Sequence, residues 1–481
     1  MKRTALLVAA FGAILVLSFT PLLAQASTTV LNSTTCPTLG GTWNSALNTC
    51  TIHSYILSSP NTLVILSGTT LKVTGTLTIN GGTIKSNGTI IDQYRVINNL
   101  GGVIDNAYHG TVRNYPYGVV INNKGASIYS NGTIINSNDI VNNNGGTITN
   151  QNFGIIYDKA SITNNGGGKI NNDHIVLVLG TLSNSGFFNN VGTVYNFGMV
   201  WNSGGTLNNT LGATITNYRV GTIRSNAAGT IKNSGSIVSS GTIDSWGKVV
   251  NVVTGSITSS GSFYAGGSMI NNGTIVSSGD LDSPGTLNNF GTLSNNGDFS
   301  TWGSVTNMNS GTISNSGTVE LRGTTTNHGK ILNTGVISNS GTLSDTTAGA
   351  ISSSGTFNNF GTLVNSGSIT STGLIHDPGM LVNNAGGAIT SSGTFYSAGK
   401  ISNSGTVTNG AGGSIVITEQ GILTNNAGGL VTNDGVYFNH GTTTNNSGST
   451  YINNGIIFNP GTLTNNPGST FTNHGVIFPW G

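Results

Sequence analysis

The sequence predicts an all-β protein, a single elongated parallel β-helix with three sides and roughly 18–20 residues per coil. Glycine accounts for 73 of the 481 residues and recurs at every sixth position over long stretches, as from Gly311 to Gly341. Each interval carries one branched or aromatic apolar residue, which a single copy could not bury. Stacked copies could form a continuous core, and this is the logic of a solenoid.

The six-residue unit itself has the pattern of a short strand. In the stretch 311–316 (Gly-Thr-Ile-Ser-Asn-Ser), a period of two places the glycine, the isoleucine and the asparagine on one side and the threonine on the other. Glycine and asparagine tolerate positive φ, so we expect them to allow a bend in each unit. Inward asparagines would need hydrogen bonds, which stacked amides could supply to one another along the axis.

A longer period near the C-terminus shows how the units combine. Gly421, Gly441 and Gly461 recur at a constant interval, and two further glycine series have the same spacing. Three units therefore make one coil with three short strands. Residues 62–481 would form on the order of 21 coils and, at about 4.8 Å per coil, a rod roughly 100 Å long. The glycine density excludes helix for most of this region.

Residues 1–26 have the features of a secretory signal peptide. Lys2 and Arg3 precede an apolar stretch, and Ala24-Gln25-Ala26 offers a small-x-small cleavage pattern. An uncleaved membrane anchor is the alternative, because the apolar stretch is nearly long enough to span a bilayer. No later segment could span one. Signal removal would leave a formally neutral chain located outside the cell or on its surface.

Residues 27–61 lack the repeat and are predicted to form an N-terminal cap that covers the open strand edges of the first coil. They contain the only two cysteines, Cys36 and Cys50. In an exported chain such a pair predicts a disulfide, worth about 3 kcal/mol for a loop on the order of 15 residues. Two cysteines without further ligands are too few for a metal site.

The charge balance excludes several functions. Only 6% of the residues are charged, with 16 Lys and Arg against 14 Asp and Glu. A nucleic-acid-binding protein needs clustered basic residues, so no nucleic-acid partner is expected. Electrostatic attachment to an anionic membrane is unsupported for the same reason. No cofactor motif is present, and we predict that the protein uses no cofactor.

An acidic group stands out among the outward positions. Asp280 and Asp282 follow Gly279, and Asp298 should lie directly above Asp280 on the next coil. Stacked carboxylates could hold a cation or serve a carbohydrate-active enzyme. No Lys or Arg accompanies them, and a solvated acidic edge is the alternative. The outward residues at the third position after the glycine are predicted to stack from coil to coil in one column, which we call the third-position column. It runs through Arg224, Asp244, Tyr264, Asp282, Ser300 and Glu320.

A second cluster interrupts the repeat near the N-terminus. Aromatic side chains next to charged groups are typical of sugar or protein recognition, so surface glycans or cell-envelope proteins are the expected partners. Irregular packing under the cap is the alternative, because buried tyrosine is common. The candidate contact residues are Tyr94, Arg95, Tyr108, Arg113, Tyr115 and Tyr117.

Runs such as residues 285–291 (Gly-Thr-Leu-Asn-Asn-Phe-Gly) resemble the repeats of filamentous-haemagglutinin-type adhesins and autotransporter passengers, and also archaeal Asn/Gly/Thr-rich surface repeat proteins. The resemblance covers most of residues 75–481 and implies a right-handed helix at the cell surface. We therefore predict a structural or adhesive, non-catalytic rod. The alternatives are a polysaccharide lyase or hydrolase that uses the acidic group and, from Thr-x-Thr rows such as Thr76/Thr78, an ice-binding solenoid.

Overall fold

The structure, a computed structural model, describes residues 25–479. The predicted signal peptide, residues 1–26, lies outside the described residues except for Gln25 and Ala26. The described part is a three-sided parallel β-solenoid of about 22 turns, which confirms the predicted fold. Its only helical element is a 3-10 turn at Pro37–Leu39. Within residues 25–479 no helix is long and apolar enough to cross a membrane.

The strands are short and regular after an irregular start. From β6 (Thr83–Ser86) to β65 (Val476–Pro479) they have four residues, apart from one of five at Arg95–Asn99 and two of three at Phe263–Ala265 and Asp280–Asp282. The strands before them are β1 (Thr28–Val30), β2 (Thr42–Asn44), β3 (Thr49–Ser58), β4 (Thr62–Ile65) and β5 (Thr70–Asn80).

Three faces result from this repetition. Face A is a 22-stranded sheet that contains the strands beginning at Thr83, Val103 and Ser127. Faces B and C contain the strands beginning at Thr111 and Val119, respectively, and their equivalents. The long strand β5 pairs with strands of both faces, so they count as one 43-stranded sheet. At about 4.8 Å per coil the rod is roughly 100 Å long.

Coil length varies more than the six-residue unit predicts. The interior residues of consecutive coils are 18 residues apart at Asn172 and Asn190 but 24 apart at Asn98 and Asn122. The extra residues lie in the turns at the corners, because the paired segments of the strands keep their four-residue length. The coil interior is thus constant, while the corners carry the insertions.

The interior is built from two residue types in alternation. In a typical strand such as Thr312–Asn315 the second and fourth residues are buried and the first and third are half-buried on the outside. The second position forms an apolar column, and the fourth position is mostly asparagine. Asn289 shows the resulting ladder: its Nδ2 donates to Asn307 Oδ1 at 2.8 Å, and its Oδ1 accepts from Asn271 Nδ2 at 2.8 Å. The predicted axial bonding of asparagine amides is confirmed.

The role predicted for the repeat glycines is wrong. The glycines that recur every six residues, here called hexad glycines, do not have positive φ; Gly303 is an example. A Cβ at Gly303 would overlap the carbonyl oxygen of Gly285 on the preceding coil. They are needed because the backbones approach closely at the corners. Positive φ occurs instead in the longer turns, for example at Gly386 (φ 86°) and Gly428 (φ 81°), and the only non-glycine residue with positive φ among the described residues is Asn48.

The N-terminal region is joined to the solenoid rather than separate from its sheets. β1 pairs in parallel with β4, β2 pairs antiparallel with β3, and β3 pairs with β5. Cys36 and Cys50 form the predicted disulfide, and both are fully buried. That residues 27–61 act as a separate capping unit stays a prediction.

Candidate functional site

Five of the six candidate contact residues near the N-terminus lie together. Tyr94 and Tyr115 occupy the turns between faces B and C on consecutive coils: the Tyr115 amide donates to Asp92 O at 2.9 Å, and the Val119 amide donates to Tyr94 O at 3.0 Å. Arg113 lies in the strand that enters one turn, and Arg95 begins the strand that leaves the other. We call Tyr94, Arg95, Arg113, Tyr115 and Tyr117 the N-terminal corner cluster.

The side chains of this cluster are available to a partner. Tyr117 is 84% exposed and Tyr94 is 51% exposed, so neither packs under a cap. The guanidinium carbon of Arg95 lies 5.7 Å from the Tyr94 ring centroid, and that of Arg113 lies 6.0 Å from the Tyr115 ring centroid. These distances are within the range of cation–π attraction, which holds the arginine heads over the rings.

Tyr108 does not belong to this cluster. It lies on the corner between faces A and B, where its ring contacts His109 at 4.6 Å and Phe153 at 5.2 Å between centroids. Beside this corner, face A carries an open groove of about 420 Å³. Its lining includes Lys85, Asp105, Tyr129, Asn131 and Gln151.

The predicted stacking of the acidic group is present. Asp280 pairs with Asp298, and the third-position column runs from Arg224 to Glu320 in the predicted order. Burial raises the pKa of Asp282 above its usual value, the neighbouring Asp280 carboxylate raises it further, and the Arg322 guanidinium lowers it. Within residues 25–479 no three His, Cys, Asp or Glu side chains are placed to hold a metal ion together.

The expectation that no basic residue accompanies the acids is wrong. Arg322 acts on Asp282 from the corner turn two coils further along, forms an ion pair with Glu320, and lies 4.9 Å over the Trp302 ring. In the column itself, Arg224 pairs with Asp244 at 3.4 Å. The sequence hides the effect of the Arg322 charge on Asp282, since the two residues are far apart along the chain.

Sequence reasoning includes Tyr264 in the column but misses the other members of a line of aromatic side chains on face C and its corner with face A. Trp246 lies 4.9 Å from Tyr264, and His376 lies 5.9 Å from Phe360 and 5.5 Å from Tyr396. Nearer the C-terminus, Phe438, Phe458 and Phe478 stack at 5.0 and 5.1 Å. The third-position column, continued beyond Glu320, would have found most of them.

An open groove lies where a non-aromatic residue interrupts this line of aromatic side chains. Val416 stands in the column between Tyr396 and Phe438, and its smaller side chain leaves a notch. The turn from Thr418 to Gly421, closed by a 2.9 Å bond between the Gly421 amide and Thr418 O, lies beside it on the corner between faces C and A. The resulting C-terminal groove has a volume of about 500 Å³ and is lined by Tyr396, Ala398, Val416, Thr418, Glu419, Gln420 and His440.

Four aspartates replace asparagine inside the rod. Burial raises the pKa of Asp92 to about 7 and the pKa values of Asp158, Asp345 and Asp377 to about 6. All four are 0–1% exposed, so they cannot contact a ligand at the surface. They occupy positions of the asparagine ladder, and their role therefore concerns the stability of the rod.

The repeats match a known family model. The model of the haemagglutinin repeat matches residues 48–107, 118–153, 291–376, 362–435 and 430–477, more than half of the chain. Among solved structures, the crystal structure of the TibC-catalyzed hyper-glycosylated TibA55-350 fragment is similar at 15% identity over 94% of this chain and 100% of that chain, with a TM-score of 0.22. That superposition is too weak to add to the assignment, and no curated protein matches significantly. The chain belongs to the haemagglutinin repeat family.

Proposed function

We propose that the protein is an exported, cell-surface rod with a structural and adhesive role and no catalytic activity. The observation that carries this proposal is the N-terminal corner cluster, an exposed group of tyrosines and arginines on a sparsely charged rod. Membership of the haemagglutinin repeat family and the predicted signal peptide, residues 1–26, support it.

The fold suits this role physically. Adhesion needs reach, stiffness and a few contact patches, and stacked backbone and asparagine ladders stiffen a solenoid along its whole length. Tyrosine and arginine are enriched among residues that dominate binding energy, because they combine a large contact area with directed polar groups. Surface glycans or cell-envelope proteins are partners of the right chemistry for such a patch.

The test is binding by the purified chain from Ser27 onward to a glycan array and to immobilised cell-envelope proteins. The double variant Arg113→Ala/Tyr115→Ala should weaken binding about tenfold or more, since each side chain is worth on the order of 1 kcal/mol. Tyr218→Ala/Arg219→Ala, an adjacent tyrosine and arginine on the same corner further along, is the matched control. Equal loss in both variants, or no binding at all, would contradict the proposal.

A carbohydrate-active enzyme is the second candidate, because Arg322 provides the acidic group with a basic neighbour. In this case Asp282, whose pKa is raised by burial, would act as a proton donor next to Asp280 and Asp298. Incubation with a panel of polysaccharides tests it. Chain cleavage that Asp282→Asn and Asp280→Asn abolish would replace the adhesive proposal by this one.

A further inference from the structure

The C-terminal groove has the composition of a small-molecule site rather than of a plain strand face. Tyr396 is 39% exposed and forms one wall, Val416 forms the floor, and the turn at the corner presents Glu419 and Gln420. Its volume is about 500 Å³, and the groove is open to solvent. On the next coils of this column the rings of Phe438 and Phe458 stack directly, with 5.0 Å between their centroids.

We propose that the C-terminal groove is a binding site for an uncharged hexose within a glycan, with the Tyr396 ring against the apolar face of the sugar and Glu419, Gln420 and His440 bonded to its hydroxyls. A pyranose ring has a face of C–H groups, which loses water favourably against an aromatic ring. Its hydroxyls both donate and accept, and they match a carboxylate, an amide and an imidazole.

The charges lining the groove select against other ligands. Glu419 contributes the only carboxylate among the lining residues, and no Lys or Arg is among them. Phosphate, sulfate and uronic acid groups would therefore meet a like charge without a compensating cation. Nucleotides and acidic polysaccharides are excluded by the same argument, while a neutral sugar keeps its hydrogen bond to the carboxylate.

The shape of the groove depends on two local features of the sequence, the small Val416 side chain and a longer turn. The coil from Asn403 to Asn425, which contains Val416, is 22 residues long, and its additional residues extend two turns, one at Gly410–Gly413 and the other at Thr418–Gly421. The neighbouring turns at Ala398–Gly399 and His440–Gly441 are tight, so the longer turn stands out between them. This site lies far along the rod from the N-terminal corner cluster, and either one can bind without the other.

The experiment measures binding of polyacrylamide-linked glucose, galactose and mannose to the full chain from Ser27 onward, with glucuronate on the same polymer as the charged comparison. Val416→Phe should fill the notch and abolish binding, and Tyr396→Ala should weaken it about tenfold or more. Ser338→Phe adds a ring at the same column position away from the groove and is the matched control. Circular dichroism verifies that each variant keeps its strand content.

Saturable binding of at least one neutral hexose that Val416→Phe removes and Ser338→Phe leaves intact would support the site. The inference is overturned if no hexose polymer binds, if glucuronate binds as tightly, or if both phenylalanine variants lose binding equally. The comparison of Val416→Phe with Ser338→Phe is repeated in an Arg113→Ala/Tyr115→Ala background, which removes any contribution of the N-terminal corner cluster, so a failure of the adhesive proposal can be told apart from a failure of this one.

Discussion

Asp92 and Asp345 should make the stability of the rod depend on pH in the direction opposite to that of a typical aspartate. Asp92 pairs with Asn114 on the next coil, and Asp345 pairs with Asn365. In both pairs the Oδ2 of the aspartate and the Oδ1 of the asparagine are buried without a hydrogen-bond partner among the described residues. In each pair, two hydrogen-bond acceptors therefore face one another along the ladder. A proton on the aspartate Oδ2 would turn this atom into a donor for the asparagine Oδ1.

The size of the effect follows from the pKa values. Burial raises the pKa of Asp92 from 3.8 to about 7, against opposing contributions from the Tyr94 and Val119 amides and the Arg95 charge. A rise of this size corresponds to about 4 kcal/mol. Because the pKa of Asp92 is higher in the folded state than in the unfolded state, protonated Asp92 contributes this free energy to folding. The contribution is fully present below about pH 4 and is lost as the pH rises through about 7. For Asp345, with a pKa of about 6, the loss is about 3 kcal/mol.

The perturbation is Asp92→Asn, which supplies a permanent Nδ2 donor to Asn114. We expect the variant to be more stable than the parent at pH 8 and nearly equal at pH 4. Hydrogen exchange of the peptides around residues 89–122, measured from pH 4 to pH 8 with correction for intrinsic rates, reports the local stability of these coils. A local probe is needed because a long solenoid need not unfold in one step. The exposed Asp298→Asn is the matched control. A parent whose protection does not fall with pH, or an Asp92→Asn variant that is less protected at pH 8, would refute the reasoning.

Three further predictions concern the rod itself. Gly303→Ala should lower the thermal midpoint strongly, because the added Cβ overlaps a backbone oxygen, whereas Gly412→Ala, which has open space around it and a φ of 84°, should cost only about 1–2 kcal/mol. Asn289→Ala should destabilise by about 1–3 kcal/mol in chemical unfolding, since the donor below and the acceptor above lose their partner. A non-reduced digest should contain the Cys36–Cys50 linked peptide, and reduction should cost about 3 kcal/mol at the N-terminal coils only.

The fold could be predicted from the sequence because the same six-residue strand pattern recurs along most of the chain. One apolar and one asparagine position per six residues, with three units per coil, define which side chains point inward and which strands pair. The same register predicts Asp298 above Asp280 and the order of the column from Arg224 to Glu320, and the structure confirms both. The period of the repeat determines which side chains stack on consecutive coils, because the side-chain direction alternates strictly along a strand.

The tertiary structure alone decided what happens at the corners. Turn lengths vary, so the sequence does not show that Arg322 acts on Asp282, that Tyr108 is separated from Tyr115, or that a longer turn opens a groove beside Val416. The reason for the hexad glycines was equally hidden, because it is the distance between the backbones of successive coils and not the φ of one residue. Contacts across coils depend on the summed length of three turns, and no local pattern encodes that sum.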